Sequence, residues 1–414
     1  MHISTTLSFR WIDRDGKLII LARGCRAFVR GLIAVLLAIY LDLLGMSFMQ
    51  IGLVLSLGVV GSAAMTFLTA IVWEKVGCKS LFIALSLIRV AAICTFAFSR
   101  RFPVIATIAL LGNITGDGGG GTDPIHPLEH SLMPDTVVAT KRTDLFAIYG
   151  IVAVAAGALG AFAAGLPEII EKLGGVETLT SYRIVLVAST TMYLCSAFCY
   201  SLLSSRETNA AAGPRAWVNP FKLPSRRKIF TLTMLFSIDS FGGALILPSL
   251  AAYWFATRFG IDLGSLAMIF FVSRVLVACS LWLSAKIANR IGLINTMVFT
   301  HIPANLFVIG VVLSPVPWLA ILFWQLRSFL ATMDVPARES YTMAIVKPSE
   351  RVAMGSTHYV GRSIASSLGP TTATALWNSF SAAIPFIGGA LIKVAYDLGL
   401  YFLFRKVKAP EERE

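Results

Sequence analysis

A chain of 414 residues that is 56% hydrophobic and 14% charged, with a mean hydropathy of +0.76, lies well outside the range of a soluble globule. It carries more apolar surface than one core can hide, and a bilayer is the natural solvent for it. The formal net charge of +13 does not point to nucleic acid, because the basic residues fall in short clusters between apolar runs, as cytoplasmic loops require.

Runs of about twenty apolar residues predict membrane-spanning helices. The first lies at 18–44, the second at 50–72, the third at 80–98 and the fourth at 103–133. The fifth, 143–166, carries Gly150, Gly157, Gly160 and Gly165, small residues that allow close helix contact. The sixth is expected at 181–203. A polar, basic, proline-containing linker follows at Ser204–Lys228. Six further runs come near 229–256, 262–284, 292–313, 317–337, 352–376 and 381–404. The expected architecture is an all-α membrane protein of twelve helices, with one bundle of six in 1–203 and a second in 229–414. The start, MHISTTLSFRWIDRDGK, has charges of both signs before any apolar core, so no cleavable signal is expected. The cysteines at 25, 78, 94, 195, 199 and 279 sit in or beside apolar runs and are expected to be free thiols.

The fourth span departs from its own pattern. After Phe102–Leu111 it continues as GNITGDGGGGTDPIHPLEHSLMPDTVVATK. Glycine and proline weaken a helix and carboxylates are costly in lipid, so this stretch is expected to face protein or a water-filled cavity. Within it His126-Pro127-Leu128-Glu129-His130 reads as H-x-x-E-H, the zinc pattern of some metalloproteases. The topology does not fit such an enzyme. A proton-titrating cluster is the preferred reading, because histidine and a partly desolvated carboxylate both change charge near neutral pH. No G-x-x-x-x-G-K-[ST] loop occurs, which argues against a built-in ATPase.

Loop charge sets the orientation. Lys75/Lys79, Lys141/Arg142, Lys286/Arg290, Lys347/Arg351, the linker and the tail from Arg405 fall on one side, so both termini are expected in the cytoplasm. Only Arg100/Arg101 argues back. The halves also resemble each other. Glu74 and Gly77 before the third span match Asn289 and Gly292 before the ninth, both at an offset of 215.

Twelve spans in a 6+6 division and this loop together resemble the major facilitator superfamily, over nearly the whole chain. The family's loop pattern is G-x-x-x-D-x-x-G-R-[RK]. Here Ala70 stands for the first glycine, Glu74 for the aspartate and Cys78 for the first basic residue, while Gly77 and Lys79 remain. The resemblance implies a cytoplasmic latch through Glu74, Gly77 and Lys79. It also implies that spans 1, 4, 7 and 10 line a central cavity. Gly369-Pro370 closes the eleventh span, but the fifth lacks the Gly-Pro of drug/proton antiporters.

The charges fit a lined cavity. Spans 4 and 10 align at offset 210, placing Glu129 on Glu339 and Asp117 on Arg327; spans 1 and 7 align at offset 213, placing Arg26 against Asp239. A charge in one half thus faces its opposite at the pseudo-symmetric position of the other, which is less costly than a lone ion. Arg23, Arg26 and Arg30 form one stripe, which suits an anion or carboxylates opposite. Asp123, His126, His130, Asp334 and Arg338 complete the candidate set. Arg89, Asp397 and other isolated charges read as structural pairs.

The expected function is secondary transport of a small solute by alternating access. Proton coupling runs through Glu129, Glu339 and the histidines, and export is favoured over uptake on the family's lean. The protein is expected as a monomer in the plasma membrane, with no cofactor and no resident metal. The alternatives are an anion carrier using the arginine stripe, a metal exporter, a membrane zinc hydrolase and a transporter-like receptor.

Overall fold

The computed structural model describes residues 11–112, 114, 123–138, 141–204, 223–347, 350–405 and 407. The first half contains α1 (Arg14–Leu43), α2 (Phe48–Val76), α3 (Cys78–Phe98), α4 (Phe102–Gly112), α5 (His126–Leu132), α6 (Arg142–Ala163), α7 (Leu166–Gly174) and α8 (Thr178–Ser201). The second contains α9 (Arg226–Ala244), α10 (Pro248–Phe259), α11 (Leu263–Ile291), α12 (Leu293–Leu313), α13 (Pro317–Leu330), α14 (Asp334–Ala344), α15 (Arg351–Ser379) and α16 (Ala383–Phe404). Three crossings consist of two helices each: α4 with α5, α9 with α10, and α13 with α14. With α7 lying between crossings, the sixteen helices make the expected twelve passes.

Nine spans among the described residues are long and apolar enough to cross a membrane by themselves. The three crossings that fall short are α4/α5, α13/α14 and α15, and each carries charged side chains at membrane depth. The break in the seventh crossing was not legible as a break in hydropathy. It falls at Leu245–Leu247, just before Pro248, which opens α10 where its missing N–H is not needed. The short α7 begins where the fifth span was expected to end, and no helix was expected there.

Sharp starts come from capping side chains. Ser47 and Gln50 form a reciprocal capping box on α2, and Asp262 accepts from Ser265 N at 2.9 Å on α11. Gly77 and Gly292 each join two long helices through a single residue, with φ of 80° and 86°. Only glycine adopts that conformation cheaply, which gives the repeated glycine a backbone reason. The repeat extends further. The breaks in spans 4 and 10 free backbone carbonyls that need donors in the membrane. Thr69 of α2 donates to the Pro124 carbonyl at 3.5 Å, and Ser284 of α11 donates to the Met333 carbonyl. Thr69 and Ser284 are themselves 215 residues apart.

Gly157, Gly160 and Gly165 of the fifth span pack as anticipated. A Cβ on Gly31 of α1 would lie 2.0 Å from the Gly157 carbonyl oxygen, and one on Gly160 would lie 1.8 Å from that of Phe28. Gly150, in contrast, has nothing within 4 Å. All six cysteines are unpaired.

The halves meet through α2 against α15, α6 against α11 and α1 against α10. Their side-chain contacts gather toward the end of the bundle away from the termini. There Phe48, Tyr253 and Trp377 cluster with ring centroids 4.6–5.9 Å apart, and Tyr253 donates to Asp42 at 3.2 Å. Thr371 donates to Ser56 Oγ at 2.8 Å, and Glu168 accepts from Gly264 N at 2.6 Å. The described contacts between the halves therefore close the bundle at that end. Gly31→Ala should lower stability by roughly 1–3 kcal/mol through the α1–α6 clash, whereas Gly150→Ala should not. Thermal unfolding in detergent checks this, and equal midpoints for the two variants would refute the close packing.

Candidate functional site

The buried charge in the first half is organised by Arg26 of α1, a fully buried arginine. Its Nε donates to Asp123 Oδ2 at 2.7 Å, and its Nη1 and Nη2 reach Glu129 Oε1 and Oε2 at 3.1 and 2.6 Å. This paired geometry is the strongest a guanidinium offers a carboxylate. Arg26 Nη1 also donates to the Tyr200 hydroxyl oxygen. Tyr200 of α8 and Tyr149 of α6 donate to Glu129 at 2.6 and 2.5 Å. Glu129 thus faces four donors, which marks it as an ionised carboxylate in this state.

Asp123 forms a local turn just before α5, its Oδ1 accepting Ile125 N at 3.1 Å and its carbonyl accepting His126 N at 2.9 Å. The same Oδ1 takes Arg89 Nη2 of α3 at 2.9 Å, and Arg23 Nη1 lies 3.7 Å from Oδ2. Arg23, Arg26 and Arg89 each also lie over a tyrosine ring, those of Tyr149, Tyr200 and Tyr193, at 5.3–5.6 Å. Pro127 does not interrupt this helix. It sits in the first turn of α5, where proline is tolerated.

The second half has its own network. Asp239 of α9 accepts Lys393 Nζ of α16 at 2.6 Å and Arg338 Nη1 of α14 at 3.4 Å, and Arg338 also holds Asp334 at 3.0 Å. Arg362 Nε of α15 donates to Ser240 Oγ at 2.7 Å. His301 of α12 lies against Asp397 of α16.

Several expectations are corrected. Arg26 is not opposed to Asp239; each is paired within its own half. Glu129 pairs with Arg26 and is fully buried. His126 and His130 stack on each other at 4.1 Å and against Tyr149 and Phe146, and neither forms a described ion pair. With Glu129 taken by Arg26 and two tyrosines, the H-x-x-E-H pattern does not converge as metal ligands. Glu339, the repeat counterpart of Glu129, is exposed and forms none of the described ion pairs, while its neighbour Arg338 is buried.

Arg327 lies 4.7 Å over the Trp324 ring, and Asp117, its proposed partner, falls outside the described residues. Arg30 is half-buried on α1, near enough to act on Asp123 electrostatically. Lys79 donates to the Leu203 carbonyl at 2.8 Å, and the Glu74 side chain is outside the described set. Sequence reasoning assigned no role to Tyr149, Tyr200, Lys393 or His301. Lys393, Arg89 and Asp397 carried a signal, because isolated charges in apolar spans imply partners. The tyrosines carried none.

The family model of the Major Facilitator Superfamily matches residues 19–370. The chain belongs to that superfamily and is an integral membrane transporter, not an enzyme. The uncharacterized membrane protein YJR124C of Saccharomyces cerevisiae is 22% identical over 440 residues, covering 99% of this chain and 98% of its own length. The nucleoside transporter NupG superposes with a TM-score of 0.73 at 13% identity, covering 95% of this chain and 98% of that one. A bacterial homolog of the human lysosomal transporter Spinster, inward-facing and occupied, gives 0.71 at 17% identity, with coverage of 94% and 96%. At such identities these structures share the fold alone.

Removing one member of a buried ion pair leaves an uncompensated charge, which costs about 3–5 kcal/mol. Arg26→Met should therefore destabilise by that order. Adding Glu129→Gln to Arg26→Met should recover part of the loss, as read by thermal unfolding. Strictly additive losses would mean that the two groups are not coupled.

Proposed function

We propose that this transporter carries a small solute by alternating access, coupled to protons, with export as its direction. The observation that carries the coupling is the Glu129 carboxylate, fully buried and facing four donors on three other helices. A proton on Glu129 cancels the charge that Arg26 grips, so protonation would free α5 from α1, α6 and α8. In antiport a proton taken up from outside would release this clamp, and its loss to the cytoplasm would restore the clamp for the next solute. Residues 1–203 and 229–414 serve as the two rocking bodies around a midplane site, with 204–228 as the cytoplasmic linker. Both termini are placed in the cytoplasm, beneath the plasma membrane, and the working unit is a monomer. Asp117 with Arg327, and Glu74 with Gly77 and Lys79, remain proposed as a cavity pair and a latch.

A specific observation favours an anionic solute as the second reading. Arg23, Arg26 and Arg89 all lie within ion-pair distance of Asp123. Arg23 Nε and Arg89 Nη1 are buried without a hydrogen-bond partner among the described residues. That surplus of donors suits a negatively charged group.

The experiment begins with a thermal-shift screen over organic anions, organic cations and nucleosides. Each stabilising solute is then followed in proteoliposomes. Wild type should move it against its gradient when a pH difference is imposed. Glu129→Gln should lose that response while retaining exchange at equal pH. Full pH-driven transport in the variant would remove Glu129 from the coupling, and no pH-driven transport in wild type would remove proton coupling.

A further inference from the structure

The C-terminal half contains a buried histidine that the Glu129 clamp does not use. His301 is 2% exposed on α12. Its Nδ1 stands 2.8 and 3.0 Å from the two oxygens of Asp397, and its Nε2 stands 3.8 Å from Asp239 Oδ1. The imidazole therefore has a carboxylate on either side. The two acids differ in their other partners. Asp239 has Lys393 and Arg338. Asp397, fully buried, has besides His301 only the uncharged Asn305 amide, at 3.4 Å, among the described residues.

The proton count follows from these contacts. An ionised Asp397 beside a neutral imidazole has no cation within ion-pair distance among the described residues, which is unfavourable in the membrane interior. A neutral imidazole also has one nitrogen without a proton, and here either nitrogen would turn its lone pair toward a carboxylate. One additional proton removes both conflicts: Nδ1–H then donates to Asp397, and Nε2–H points toward Asp239. We propose that His301 and Asp397 form a proton-binding site in the second half, the proton being held as a His301 imidazolium between Asp397 and Asp239.

The surroundings also supply a route for release. Lys393 and Asp397 are four residues apart on α16 and so share a face. If Lys393 leaves Asp239 for Asp397, its ammonium replaces the imidazolium as counter-ion, and His301 can give its proton to water as a neutral ring. Arg338 then keeps Asp239 compensated. The other charged or titratable groups around the site are Asp334 on α14, Arg362 and His358 on α15, and Tyr396 on α16, whose ring centroid lies 6.0 Å from that of His301. From α11 and α13, which also pack on α12, no charged group comes within ion-pair distance of His301 among the described residues. The site deepens the proton-coupled reading. It rests on that reading for its part in transport but not for its occupancy.

Nitrogen-15 NMR of the histidine-labelled full chain in lipid nanodiscs tests the occupancy directly. The chain has five histidines, at 2, 126, 130, 301 and 358, and the spectrum of His301→Gln assigns the signal by its absence. At neutral pH the His301 signal should show both ring nitrogens protonated. Asp397→Asn, which removes one acceptor and its charge, should convert that signal to a neutral ring with one bare nitrogen. It also serves as the assigning variant if His301→Gln does not fold. Glu129→Gln should leave the signal in place. A neutral His301 ring in wild type, or an imidazolium unmoved by Asp397→Asn, would overturn the site. Loss of pH-driven flux in wild-type proteoliposomes with the imidazolium still present would instead count against the coupled reading alone.

Discussion

The arrangement depends on one constraint: an ion buried at membrane depth is costly unless an opposite charge and hydrogen bonds compensate it. Isolated charge in that medium costs several kcal/mol even after relaxation, and the cost is recovered only where geometry and hydrogen bonding are both good. Arg26 meets that condition by engaging two carboxylates at once, Asp123 and Glu129, with Tyr149 and Tyr200 as further donors to Glu129. This knot is what holds a seven-residue helix, α5, in place after a stretch rich in glycine. A segment so short has little intrinsic helical stability, and its position comes from the partners of its side chains.

The second half solves the same problem with different residues. Its broken crossing is tied down by Arg338, which holds Asp334 on its own helix and Asp239 on α9, while Lys393 brings in α16. In both halves the second helix of a broken crossing is thereby fastened to its neighbours: α5 and the turn before it to α3 and α8, and α14, through Asp239, to α16. Each half can then move as a body while its charges stay matched. The contacts between halves are of another kind, aromatic clustering and single hydrogen bonds at the end away from the termini. Such contacts can be exchanged without stranding a charge.

Much of the fold was legible in the sequence, and for identifiable reasons. Apolar length gave the crossings, the spaced glycines of the fifth span gave close packing, and Gly77 with Gly292 marked the repeat because both occupy a backbone region costly to other residues. The site was legible in its membership but not in its pairing. Arg26, Asp123, Glu129, Asp239, Asp334 and Arg338 are all buried participants. Alignment of the repeats suggested that Arg26 faces Asp239 across the cavity, whereas each is paired within its own half, since offset does not say which way a side chain points. The same limit misassigned Glu339: it shares a repeat position with Glu129 yet is exposed, and the adjacent Arg338 takes the buried place. The hydroxyls of Tyr149 and Tyr200 had no signal in a single sequence, because buried tyrosine is ordinary until its hydrogen-bond partner is known.

The central claim is that two internally neutralised halves rock about the space between them, and it is most directly tested by paired distances at the two ends of the bundle. Spin labels at Leu43 and Phe380 report the sealed end, and labels at Val76 and Ile291 report the end nearer the termini; all four residues are exposed. In lipid nanodiscs titrated between acid and neutral pH, the account predicts two populations for each pair. The sealed-end distance should lengthen in the same proportion of molecules in which the other shortens. A single unchanging distance at both ends across that range would contradict it.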